Sequence, residues 1–371
     1  MRVLVAPDKF AGTLTAVEAA EAIADGWRRT APADDVVMVP MADGGPGFVD
    51  VVRAARGGEL LAVTVRGPLG TPVPATLLLA DGVAHIESAQ ACGLALLPAH
   101  GRDPISGAVE DASTYGVGEL VAEAVDAGAR RVVVGLGGSG TNDGGGGLLA
   151  ALGATSEPEG ALTAGVAGLT ELAAVDLAPA RDRLAGVDVV AATDVDNPLL
   201  GLRGATNVFG PQKGVAADRL IEVDGGLTRL AHLAGRELAD AKGAGAAGGL
   251  GYALMLLGAH REPGFATVAE IVGLPDAVRE TELVLTGEGK LDWQSMSGKV
   301  VSGVSGLAGP ALRPCVVIAG SVQVGSRELR ANGIEAAYSL VDVVGGNAAI
   351  ADPAGSLATV AARVARTWSR G

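Results

Sequence analysis

Cysteine is almost missing. Cys92 and Cys315 are the only two among 371 residues, too few for a disulfide framework, and Cys315 opens an apolar run where it reads as a small buried hydrophobe. Aromatic residues make up 3% of the chain, so any core must be built from Ala, Val and Leu. Positive charge is scarce too: 28 Lys and Arg stand against 42 Asp and Glu, a net charge of −14. With no basic run, nucleic acid is excluded as a natural partner, because that affinity comes mainly from Lys and Arg on phosphates. An anionic membrane surface would repel the chain. No apolar stretch approaches the roughly 18 residues needed to span a bilayer. The start, Met1-Arg2-Val3-Leu4-Val5-Ala6-Pro7-Asp8, meets a proline and an acid too early for a signal peptide. These exclusions predict a soluble, cytoplasmic protein acting on small molecules.

Glycine is abundant, at 57 residues, and 49% hydrophobic with 19% charged residues describes a folded globular chain. At about 150 residues per domain the length predicts two or three domains. Short β-rich apolar runs alternate with helical stretches, which predicts an α/β fold with largely parallel sheets. Strands are expected at Arg2–Ala6, Asp35–Met41, Leu283–Thr286, Cys315–Ala319 and Ala337–Val341. Helices are expected after the capping box Thr15-Ala16-Val17-Glu18 and from about Gly298, Ser326 and Gly355. Neither end alone would bury much surface, since small domains are marginal. Together, residues 1–69 and 283–371 would make one doubly wound, flavodoxin- or Rossmann-like domain. Residues 70–282 would form a second, inserted α/β domain, with the active site in the cleft between them. The stretch Gly67-Pro68-Leu69-Gly70-Thr71-Pro72-Val73-Pro74 suits the first crossing.

The most informative segment runs from the strand Arg131–Val134 into Gly135-Leu136-Gly137-Gly138-Ser139-Gly140-Thr141-Asn142-Asp143-Gly144-Gly145-Gly146-Gly147. Successive amides without Cβ obstruction make an anion-binding nest, and a helix N-terminus would add partial positive charge. Phosphate is the expected occupant, with Asn142 and Asp143 directed at ribose, metal or a substrate hydroxyl. The embedded G-x-G-x-x-G does not by itself make a dinucleotide fold. That fold wants a second strand ending in an acid about 20 residues on, and Ala154–Gly160 reads as no strand.

Asp194 and Asp196 in Thr193-Asp194-Val195-Asp196-Asn197-Pro198 follow the strand Val187–Ala191. They sit where ligands bind in open α/β sheets, and their hard oxygens suit Mg²⁺. The alternative is an Asx turn before Pro198 with both carboxylates solvated. Lys213, between glycines, could neutralise phosphate oxygens or lie on a surface loop. In Thr286-Gly287-Glu288-Gly289-Lys290-Leu291-Asp292, then Trp293 through Lys299, Glu288 and Asp292 are metal-ligand or base candidates and Lys290 and Lys299 phosphate-binding candidates. Asp8, Lys9 and Asp43-Gly44-Gly45 stand at the first two strand ends. The four histidines show no metal spacing, and no G-x-S-x-G elbow supports a serine hydrolase. Phosphoryl transfer uses these parts, because its catalysis is positioning and charge stabilisation. An NAD-dependent dehydrogenase and a two-lobed nucleotide- or solute-binding protein are the alternatives. The first lacks its acid-tipped strand and the second leaves the acidic loops without purpose.

Across nearly its whole length the chain resembles the type I glycerate kinase family. The resemblance rests on Val5-Ala6-Pro7-Asp8-Lys9-Phe10, Ala42-Asp43-Gly44-Gly45, Thr114-Tyr115-Gly116-Val117-Gly118-Glu119-Leu120 and Gly137–Gly145. It continues through Thr193–Leu199, Val208-Phe209-Gly210-Pro211-Gln212-Lys213-Gly214, Gly243–Gly251 and Thr286–Lys290. Ala11, Pro46 and Lys290 stand where that family commonly has Lys, Glu and Arg. The resemblance implies two different α/β domains and ATP-dependent phosphorylation of D-glycerate, with the 2-hydroxyl favoured and monomer and homodimer both open. On that basis ATP phosphates are expected on Gly137, Gly138, Ser139, Gly140, Thr141, Asn142, Asp143 and Gly144. Mg²⁺ is expected on some of Asp194, Asp196 and Glu288. Asp43, Gly44, Gly45 and Lys299 are expected to meet substrate, with Asp8, Lys9, Lys213 and Lys290 in the catalytic set. Asp194 or Asp292 is expected to be the base.

Overall fold

Thr15 closes the capping box that its spacing predicts: its hydroxyl accepts from the Glu18 amide at 3.2 Å, while Glu18 accepts from the Thr15 amide at 2.8 Å. The helix Ala16–Thr30 follows. The structure, a computed structural model, describes residues 1–100, 103–296 and 299–369. It divides into two compact units, Met1–Asp43 with Asp50–Arg56 and Phe265–Gly371, and Gly44–Val49 with Gly57–Gly264.

The first unit is a five-stranded, fully parallel sheet. Across it the order is Ile334–Ser339, Cys315–Val322, Leu283–Leu291, Arg2–Val5, Asp35–Met38. Numbered along the chain this is 2-1-3-4-5, the flavodoxin-like doubly wound order, with its switch point between Arg2–Val5 and Leu283–Leu291. Helices Ala16–Thr30 and Pro353–Trp368 cover one face, packed with Trp27, Ile23, Leu357 and Val360 against Val5, Leu285 and Ile318. They cross closely at Gly26, where a Cβ would strike the Ala358 carbonyl. Val301, Leu291 and Val317 fill the other face.

Several expected boundaries move. Asp35–Met41 ends at Met38, whereas the third and fourth strands run on to Leu291 and Val322. Ala337–Val341 is a strand only to Ser339, because the Ser339 hydroxyl accepts from the Asp342 amide at 3.2 Å and caps the helix Leu340–Val344. The helix expected near Gly298 is seen from Val300; Ser297 and Gly298 lie outside the described residues. Cys92 and Cys315 are free and buried.

The second unit holds a six-stranded mixed sheet, ordered His260–Glu262, Asp188–Ala192, Arg131–Gly135, Val83–Glu87, Pro72–Ala80, Glu59–Arg66. The first four strands are parallel and the last two antiparallel. Leu77, Ile86, Leu120, Val134, Leu149 and Tyr252 lead a core rich in small aliphatics. Two expectations are corrected here. Gly67–Pro74 is no crossing but the turn of a hairpin in this sheet, closed by the Gly67 amide on the Thr71 carbonyl at 2.7 Å. Residues 154–160 do contain a strand, Thr155–Glu157, paired antiparallel with Ala174–Asp176 in a separate two-stranded sheet. That pairing keeps it apart from a dinucleotide-type second strand. Among the described residues no helix is long and apolar enough to cross a membrane.

Candidate active site

In the doubly wound unit, the carboxyl ends of Arg2–Val5 and Leu283–Leu291 meet at the switch point, the usual ligand edge of such sheets. The amide of Asp8 donates to the Gly287 carbonyl at 2.8 Å, and the Thr286 hydroxyl to the Ala6 carbonyl at 2.8 Å. These bonds fix the turn after the first strand beside Glu288. Asp8 is buried; its Oδ1 accepts from the Lys9 amide at 2.7 Å and lies 3.7 Å from Lys9 Nζ. Burial pushes its pKa up to about 6, against the pull of Lys9 and with the help of the like charge of Asp43. Burial likewise pushes Glu288 up to about 7; a Ser295 hydrogen bond and Lys299 oppose it, and Asp8 and Asp292 add to it. Glu288 Oε1 is buried and has no hydrogen-bond partner among the described residues. Asp8, Lys9, Asp43, Glu288, Asp292 and Lys299 thus share one electrostatic environment.

Two expected members have other occupations. Lys290 Nζ lies 3.1 Å from Asp292, whose Oδ1 also accepts from the Gln294 amide at 2.9 Å. Burial works upward on Asp292, yet these contacts hold its carboxyl below the usual range. A carboxylate stabilised in its charged form has little drive to take a proton.

In the second unit, Glu87 Oε2 accepts from the Gly47 amide at 2.8 Å, and the Ser88 hydroxyl donates to the Gly135 carbonyl at 2.7 Å. Both brace the turn Gly44-Gly45-Pro46-Gly47 and the strand end that leads into the glycine-rich loop. The loop divides in two. Its back half is filled by protein: Asp143 Oδ1 accepts from the Gly145 amide at 3.0 Å, and Oδ2 from Gly147 at 3.1 Å. The Gly144 amide goes to the Gly248 carbonyl and the Gly146 amide to the Asp143 carbonyl, both at 3.0 Å. The N-terminus of helix Gly146–Ala151 is therefore filled by the side chain of Asp143 itself. Asn142 donates to the Thr206 hydroxyl at 2.9 Å, and Thr141, Asn142 and Asp143 are fully buried. Asp143 and the amides of Gly144 to Gly147 are thus occupied by protein, against the expectation for them, whereas Thr141 Oγ1 and Asn142 Oδ1 have no hydrogen-bond partner among the described residues.

The front half differs. Gly138 is exposed and Gly137 half-buried. Directly behind them Lys213 Nζ donates to the Ser139 hydroxyl at 2.9 Å and the Thr141 carbonyl at 2.8 Å. Lys213 is 4% exposed, and burial lowers its pKa to about 8 against the pull of Cys92 and Asp143.

Asp194 is exposed. Asp196 is spoken for by Arg261 Nη2 at 2.6 Å and Lys242 Nζ at 3.3 Å. Two bound cations make it a poor metal ligand, contrary to expectation. Among the described residues no three His, Cys, Asp or Glu side chains converge as a metal cage. Mg²⁺ asks for less, one or two carboxylates plus substrate phosphates. Cys92, Thr114, Thr206 and Ser295 support these sites, and none was singled out for it from sequence. Thr114 opens the motif Thr114–Leu120, but no spacing rule links it to Asp143.

The glycerate kinase family model matches residues 3–369 of this chain. A Bacillus subtilis protein named glycerate kinase is 42% identical, covering 92% of this chain and 90% of its own. An Escherichia coli protein named glycerate 2-kinase is 39% identical, covering 93% and 92%. A Salmonella typhimurium LT2 protein whose crystal structure bears the name glycerate kinase 2 superposes with a TM-score of 0.80 at 36% identity, over 99% of this chain and 98% of its own.

Proposed function

The chain belongs to the glycerate kinase family, and from that premise we propose that it transfers the γ-phosphoryl group of ATP to D-glycerate, giving 2-phosphoglycerate and ADP. The E. coli relative's name supports the 2-position. The observation that carries the chemical reading is Glu288. It is a carboxylate with a buried, unpartnered oxygen at the switch point of a parallel sheet, titrating near neutrality.

Attack by an alcohol needs its proton removed as the new P–O bond forms. Glu288 Oε1 would accept it, and a pKa of about 7 suits a general base at physiological pH. This moves the base away from Asp292, whose charge is already satisfied. Lys299, whose charge acts on both Asp8 and Glu288, would orient the glycerate carboxylate together with Lys9. The mutually repelling carboxylates Asp8 and Asp43 would offer Mg²⁺ the hard oxygens it prefers. When bound, that ion would neutralise charge on the phosphates. For the nucleotide, the back half of the glycine-rich loop does not fit, because its amides are already used. At the front the Gly137 amide is likewise used, by the Gly44 carbonyl at 3.3 Å, so the reading narrows to the Gly138-Ser139 tip, which with a cation behind it would receive an anion.

The test is incubation with ATP, Mg²⁺ and D-glycerate, the product's regiochemistry read by NMR. Formation of 2-phosphoglycerate with stoichiometric ADP is expected. No ATP-dependent product would overturn the activity, and 3-phosphoglycerate would overturn the regiochemistry.

A further inference from the structure

We propose that Lys213 is a positioning residue for the nucleotide: its ammonium pins the Ser139 hydroxyl and the Thr141 carbonyl from behind and holds the exposed Gly138 at the tip of the turn in the conformation that receives a phosphate group. The inference rests on the reading that phosphates settle on that turn.

The geometry is specific. Lys213 ends the short 3₁₀ turn Pro211–Lys213, which Gly214 closes at φ 96°. From there the side chain runs inward and spends two of its three donors on a hydroxyl and a carbonyl one residue apart on either side of Gly140. The opposite side of the same turn is held by main chain: the Gly140 amide on the Cys92 carbonyl at 2.7 Å and the Leu94 amide on the Gly138 carbonyl at 2.9 Å. The turn is thus clamped on both flanks and exposed only at its tip.

Burying an ammonium without a carboxylate partner is expensive. Lys213 forms no ion pair among the described residues, and both of its acceptors are neutral. Asp143, the acid that acts on it electrostatically, is occupied by the amides of Thr114, Gly145 and Gly147 and the Thr114 hydroxyl. A methionine or leucine would fill the same space at lower cost. A buried positive charge directly beneath an exposed glycine turn is what an incoming polyanion would use.

The titratable groups acting on Lys213 are Cys92 and Asp143. Cys92 is pushed up to about 12 by burial and stays a neutral thiol throughout the range used here. Lys213, lowered to about 8, is charged below that pH and neutral above it. ADP affinity measured by calorimetry from pH 7.5 to 9.5, where ADP itself no longer titrates, should fall as pH rises through about 8.

K213M should weaken ADP at pH 7.5 by about tenfold or more and raise KM for ATP, leaving KM for glycerate unchanged. K213R should recover much of the affinity and move the alkaline fall upward. S139A, which removes one of the two anchors while keeping the charge, should weaken ADP less than K213M does; it also serves if K213M fails to fold, as judged by its melting transition. If wild-type protein binds no ADP at any pH, the nucleotide reading itself fails. If wild type binds ADP equally at pH 7.5 and 9.5, or a folded K213M binds it as wild type does, the role of Lys213 is overturned.

Discussion

Thr114 gives both of its donors to Asp143: its amide and its hydroxyl each reach Oδ2 at 2.8 Å, deep inside the second unit. The Thr114 hydroxyl also accepts from the Leu148 amide at 3.0 Å, so one side chain ties the glycine-rich loop to the helix it opens. Burial pushes the Asp143 pKa up, and the donors from Thr114, Gly145 and Gly147 oppose that.

Removing this acceptor should be costly to the fold and not only to activity. Asp143→Ala would leave several buried donors unpaired, each worth about 1–3 kcal/mol, and Thr114→Val would orphan the Leu148 amide. Both variants should melt well below wild type, with Thr114→Ser close to it. A wild-type melting curve for Asp143→Ala would show that the carboxylate is not the loop's internal anchor.

A kinetic series separates the carboxylates. Glu288→Gln keeps shape but removes the proton acceptor, so kcat should fall by about 10²–10⁴ with folding intact. Asp292→Asn and Asp194→Asn should each cost less than about tenfold, since the first is tied to Lys290 and the second is exposed to solvent. A Glu288→Gln enzyme with near-normal kcat would overturn Glu288 as the base, and an Asp292→Asn or Asp194→Asn enzyme without activity would return the assignment to that residue.

The elements were largely legible because local rules agree with the tertiary outcome. The Thr15–Glu18 spacing caps a helix wherever it docks, and the apolar runs at both chain ends need one another for a core. The fold class, two different α/β domains with one built from both ends, follows from that argument. The sites were less legible. A glycine nest looks the same in sequence whether its anion comes from outside or from Asp143. Likewise Asp196 reads as a free ligand until Lys242 and Arg261, many residues later, are folded onto it. Long-range pairing of charges has no periodic signature.

Glycine substitutions should separate close packing from backbone strain alone. Gly145 has φ 75° and a Cβ there would collide with Ala253, whereas Gly12 has φ 80° with nothing within 4 Å. Gly12→Ala should therefore cost only the left-handed backbone penalty, about 1–2 kcal/mol. Gly145→Ala adds overpacking of about 1–3 kcal/mol and should depress the melting temperature much further. Equal melting temperatures for the two would refute the close packing of Gly145 against Ala253.

Activity and stability should run in opposite directions with pH. Asp8 at about 6 and Glu288 at about 7 are both raised above their unfolded values, so between roughly pH 4 and 7 the native state binds more protons than the unfolded one. Their contribution to stability is present at low pH and is lost as pH rises through the folded values. Catalysis needs the ionised forms, so kcat should climb across the same interval, with its acid limb near 6–7. Glu288→Gln removes the cost of burying that charge and should raise stability at pH 7.5 by up to about 3 kcal/mol while losing turnover. Melting curves from pH 5 to 8 on wild type and Glu288→Gln decide the matter. If the gap between them does not widen as pH rises, Glu288 is not a carboxylate held protonated by its burial.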